Sequence, residues 1–149
     1  MTFPTHLFAG LAVGAFTGDY TVAVVASVAP DIDHVVSYAR HGVFKNAETF
    51  WSVITAEADP WNDQRNVLHN ILVPSTLSIL AYIFFPEHAL ALVLGYGIHL
   101  TLDAFDASDF YPFYPWKRIN LRGPIHYNSK WEFALAIPLL LAFLYFLMY

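Results

Sequence analysis

A chain of 149 residues has the length of one domain, and residues 1–149 read as a single unit. Only 13% of residues are charged, against about 25% in soluble domains, and 57% are hydrophobic, so an all-α integral membrane protein is expected rather than a water-soluble fold. A formal charge of −5 with 7 basic residues argues against a nucleic-acid surface, and zero cysteines exclude disulfides and thiolate metal ligands.

The stretch from Met1 to Pro4 has no basic region and reads as a retained terminus rather than a cleaved signal. The first apolar segment runs from Phe3 to Ala29, with a Gly18-Asp19 turn signal inside it. It is either one long span or a short helical hairpin, with helices near 4–17 and 20–29. The hairpin is favoured, because the single span would put His6 and Asp31 on opposite bilayer faces. The second helix can continue past Pro30 into 31–40, since proline is tolerated in membrane helices.

Ala47 to Ala56 suits a short interfacial helix with Phe50, Trp51 and Ile54 on one side. Asn66 reads as the N-cap of a helix from about Val67 to Phe85. A further helix is expected from about His88 to Phe105, and a last one from Lys130 to Met148, making about five membrane-embedded helices. The loop at 107–129 is rich in aromatic residues and proline. Phe110 to Trp116 in it is either an interface belt or a wall of a pocket.

All seven basic residues fall in the two long loops or at their edges: Arg40, Lys45 and Arg65, then Lys117, Arg118, Arg122 and Lys130. The positive-inside rule then puts both loops in the cytoplasm.

On that topology the ionisable residues gather at the cytoplasmic side. They are His6, Asp31, Asp33, His34, His69, His99 and Asp103, with Asp106 and Asp109 close behind. His99 and Asp103 are i,i+4 and share a helical stripe; Asp31 and His34 are i,i+3 and would do the same if helical. Charges at a membrane edge are costly unless paired or bound to a cation. Imidazole with carboxylate suits a divalent metal, zinc first and manganese or magnesium next, in one or two ions.

Each residue also has a simpler reading. His99 alone could be a hydrogen-bonded structural histidine, and His69 a helix-start residue. His41 could be solvated, His88 a helix-start residue and Asp19 a turn residue. Arg65 could bind a substrate phosphate or anchor at the headgroups. His126 is a further candidate to return to the site, and Glu132 favours its own helix dipole.

Thr5-His6, Pro30-Asp31-Ile32-Asp33-His34, Arg65-x-x-x-His69 and His99-x-x-x-Asp103 followed by Tyr111-Pro112-Phe113 resemble one family. It is that of small membrane-bound metal-dependent hydrolases of the LexA-regulated inner-membrane type. The motif order is also similar to that of zinc-dependent phospholipase C. The resemblance covers residue 5 to about residue 120. It implies hydrolysis of phosphoesters, with lipid-derived, amphiphilic substrates and membrane lipids as partners.

In that reading His6, Asp31, His34, His69, His99 and Asp103 hold metal. Asp33 or His34 serves as base or orients water, and Arg65 stabilises phosphate charge. The sequence departs from the family's pattern at Gln64, where a histidine is usual, and at Asn70, where a serine is usual. The alternatives are a non-catalytic membrane scaffold with a structural metal, and a proton or metal-ion transporter. No acid lies mid-membrane in the later helices, which disfavours transport. No His-Glu-x-x-His is present, which argues against a zinc intramembrane protease.

Overall fold

The computed structural model describes residues 1–56 and 59–148, and they form a helical bundle. Its α-helices are α1 (Phe3–Thr17), α2 (Tyr20–Val28), α3 (Ile32–Arg40), α4 (Ala47–Thr55), α5 (Leu72–Phe84), α6 (Pro86–Phe105) and α7 (Lys130–Met148). Among the described residues, the only extended pairing is an isolated parallel bridge between Asp106 and Ile125.

The N-terminal hairpin forms as expected. Gly18 ends α1 at φ 78, a left-handed conformation that glycine adopts freely. Asp19 then caps α2 by accepting the Val22 N–H. The second arm continues past Pro30 to Arg40, as the sequence allowed. After one 3₁₀ turn at Ala29–Asp31, where Pro30 interrupts the ladder, it continues as α3. Tyr20–Arg40 is thus long and apolar enough to cross a membrane, as are Pro86–Phe105 and Lys130–Met148.

α1 packs on α2, α6 and α7, while α6 also packs on α2 and α5. α2 and α6 approach closely at Gly95, where a Cβ would lie 2.6 Å from the Ala23 carbonyl oxygen. α4 forms at its expected place, with Asn46 Oδ1 accepting the Glu48 and Thr49 N–H groups.

The expected helix start at Asn66–Val67 is corrected: α5 begins at Leu72, and residues 66–71 are a turn-rich loop. Asp33 Oδ2 captures the N–H groups of Asn66, Leu68 and His69, and it is Asn70 Oδ1 that accepts the Leu72 N–H. Pro74 then falls in the first turn, where no N–H is needed. His69 therefore sits in a loop, not on a helix.

Burial is inverted relative to a soluble protein. Fully buried side chains include His6, His69, His99, Asp103, Asp106 and Glu132, whereas Leu77, Ile79, Ile83, Ile137 and Leu141 are exposed. Lipid is the solvent that makes such an outer face stable.

Candidate metal centre

The two long loops pack together at one end of the bundle. Ile71 donates to the Pro112 carbonyl at 2.8 Å, and Asn70 Nδ2 donates to the Tyr114 carbonyl. At the far end, His88 Nδ1 lies 2.6 Å from Asp19 Oδ2, joining the α1–α2 turn to the start of α6. Asp19 is therefore both a cap and a clasp.

All six metal-ligand candidates converge at the loop end. Three overlapping groups have ligand atoms within 4.8 Å of one another: His6–Asp31–His99, Asp31–His34–His69, and His69–His99–Asp103. They come from four segments of the chain. His6 is in the first turns of α1, Asp31 ends the 3₁₀ turn that holds Pro30, His34 is in the first turn of α3, and His69 is in the loop. His99 and Asp103 share the buried stripe of α6, one helical turn apart.

At the centre, Asp103 Oδ2 lies 3.1 Å from His69 Nε2 and 3.5 Å from His99 Nε2, while Oδ1 lies 3.3 Å from His6 Nε2. The His6 ring stacks on His99 at 3.9 Å between centroids. Cationic groups also enter. Arg65 Nε lies 3.2 Å from Asp103 Oδ2, its Nη2 lies 3.4 Å from Asp106 Oδ2, and the Met1 amine lies 2.7 Å from Asp103 Oδ1.

Behind these atoms stands a second layer that fixes ring orientation. His99 Nδ1 donates to the Ser27 carbonyl at 2.8 Å, a last-turn carbonyl of α2. His69 Nδ1 donates to Asp33 Oδ2 at 3.1 Å, and His34 Nδ1 donates to Gln64 Oε1 at 3.0 Å. Each bond commits Nδ1 and turns Nε2 toward the cluster, as at metal-binding histidines. Asp33 is thus placed behind His69, anchoring the loop rather than facing the cavity. Gln64 supports His34 instead of competing for a place in the cluster.

The electrostatics follow from this packing. Burial tends to lower the His69 pKa, but the hydrogen bonds to Asp103 and Asp33 leave it raised. Burial likewise opposes the Arg65 charge, and Asp103 and Asp106 more than offset that. Asp106 is pushed up by burial, yet the Met1 amine and Arg65 bring it down to about 2.

The donor set fits a divalent cation. Both His6 ring nitrogens are buried without a directed hydrogen bond, Nε2 lying 3.3 Å from Asp103 Oδ1. Two imidazole Nε2 atoms, His69 and His99, also face each other across 3.2 Å. Nitrogen and carboxylate oxygen without sulfur suit zinc and harder ions.

A cavity of about 240 Å³ opens onto this cluster. Asp31, His34, Gln64 and Arg65 supply polar lining; Phe3, Val35, Val53 and Ile54 supply an apolar wall. Tyr127 Oη ties α4 to the second loop by donating to the Ile54 carbonyl at 2.9 Å. Of the aromatic run, Phe110 is fully buried and Trp116 is exposed; neither lines this cavity. His126 lines a neighbouring polar cavity with Asp59, Asp109 and Arg122, outside the three groups. His41 stacks on Trp61 at 4.2 Å and bonds Asp63 instead of being merely solvated.

Fold and site together define a small helical membrane protein with a buried imidazole–carboxylate centre at one end of its bundle. The chain belongs to the YdjM inner membrane protein family, whose model matches residues 1–149. No curated protein and no solved structure gives a significant match. The family description names a membrane and no activity, so the hydrolase and phospholipase C likeness rests on the motifs.

Proposed function

We propose that this protein is a membrane-bound metal-dependent hydrolase of phosphoesters, acting on amphiphilic, lipid-derived substrates at the cytoplasmic edge of the inner membrane. The observation that carries the reading is the convergence of six imidazole and carboxylate groups from four chain segments onto shared ligand distances. Structural histidines seldom leave both ring nitrogens buried without a directed hydrogen bond, as in His6.

His6, Asp31, His34, His69, His99 and Asp103 would hold one or two divalent ions, zinc first, with manganese or magnesium next. Asp31 belongs to both the His6–His99 and the His34–His69 groups, so it would help to hold an ion in either. A bound divalent ion supplies Lewis acidity and lowers the pKa of water toward about 7.

The chain's own groups do the rest. Arg65 lines the cavity, and its planar fork suits phosphate oxygens whose charge grows during attack. His34 also lines the cavity; with Gln64 holding Nδ1, its Nε2 is left either to hold an ion or, where it does not, to take the proton of the attacking water. Asp33 positions His69. Phe3, Val35, Val53 and Ile54 give a hydrocarbon chain an apolar surface beside the polar floor. The clustering of Arg40, Lys45, Arg65, Lys117, Arg118 and Arg122 on the loop side supports the cytoplasmic orientation.

Release of phosphate or phosphorylated headgroups from lipid phosphates and phospholipids in mixed micelles tests this reading. Expected is turnover by the wild type that chelator abolishes, zinc restores and Asp103→Ala lacks. Wild-type release no greater than that of Asp103→Ala rejects the enzyme. Bound zinc without turnover would leave the scaffold reading instead.

A further inference from the structure

Glu132 opens α7 as a fully buried carboxylate, which a helix-dipole role alone does not require. Its Oε1 accepts the Thr2 N–H and, at 3.0 Å, the Thr5 hydroxyl; its Oε2 accepts the Asn128 N–H at 2.7 Å. One acceptor-only side chain therefore joins the start of α1, the end of the second long loop and the first turn of α7.

Thr2 is the N-cap of α1, and its own side chain makes no capping bond. The orphan donor there is satisfied from another helix. The next residue after Thr5 is His6. Its ring makes no directed hydrogen bond; it stacks on His99, its Nε2 lies 3.3 Å from Asp103 Oδ1, and the path of the α1 backbone does the rest. Where α1 begins therefore decides where the His6 imidazole sits.

We propose that Glu132 is a positioning residue: it sets the start of α1 and so presents His6 to His99 and Asp103. Its consequence for cation binding rests on the reading of the cluster given above; its effect on His6 does not.

The full-length protein in detergent micelles is compared as wild type, Glu132→Ala, Thr5→Val, Thr5→Ser and Asp19→Asn. Carbethoxylation of His6, located by mass spectrometry, reports its burial without any metal. Cobalt(II) titration, followed by visible absorption, reports the cluster. His6 is expected to be protected in wild type and Thr5→Ser, and modified in Glu132→Ala and Thr5→Val. Cobalt binding weakens about tenfold or more in those two.

Asp19→Asn loosens the far end of the bundle and leaves His6 protected, which separates positioning from general destabilisation. Protected His6 in folded Glu132→Ala overturns the proposal. Should that variant fail to fold, Thr5→Val decides: protected His6 with unaltered cobalt binding overturns it. A wild type that gives no cobalt spectrum ends the cation reading, and His6 protection still decides the role of Glu132.

Discussion

His69 and His99 face each other with their Nε2 atoms 3.2 Å apart, and both rings have already spent Nδ1. Ser27 offers His99 only a carbonyl, and Asp33 offers His69 only a carboxylate, so each Nδ1 carries a proton. Two neutral rings would then point lone pairs at each other. Something positive must lie between or beside them, and a proton or a metal ion both meet that need.

Asp33→Asn should therefore weaken zinc binding by about 10- to 100-fold, because it removes the carboxylate that orients His69. Competition with a chromophoric chelator measures this. Unchanged affinity would mean that the loop finds its place without Asp33.

Arg65 is buried between Asp103 and Asp106. Arg65→Met leaves two buried carboxylates without that cation, and such losses cost about 3–5 kcal/mol. Thermal unfolding in micelles should show the drop, with zinc recovering part of it. A variant as stable as wild type, with or without zinc, would contradict the placement.

Gly95→Ala inserts a methyl where the Ala23 carbonyl oxygen lies 2.6 Å away. α2 and α6 must separate, at about 1–3 kcal/mol. An unchanged Tm would show that the two helices are not in such close contact.

The Asp19–His88 clasp gives a pH dependence. The His88 hydrogen bond, with the Val22 N–H, lowers the Asp19 pKa below its ordinary 3.8. A depressed carboxylate pKa contributes stability above the unfolded value and loses it as pH falls through the folded value. Asp19→Asn should thus be less stable than wild type near neutral pH, and the difference should close below 3.8. A gap that persists in acid would assign the effect to packing.

Much of this was legible in the sequence. The Gly18-Asp19 turn, the apolar runs and the i,i+4 spacing of His99 and Asp103 each depend on local rules, and each element formed there. The convergence of the clusters followed from topology alone. What the sequence hid was long-range. Nothing near Asn66 signals that Asp33 will take three N–H groups and delay α5 to Leu72. Gln64 reads as a lost ligand until its contact with His34 is seen. Glu132 reads as a dipole partner because its three donors lie on residues 2, 5 and 128.

The central claim is tested most directly by the metal content of protein purified after equilibration with zinc, comparing wild type with His99→Ala. The account predicts one or two zinc ions per wild-type chain, with loss of at least one in a variant that remains folded. Wild-type protein free of metal at saturating zinc and manganese, or a His99→Ala variant with unchanged metal content, would contradict it.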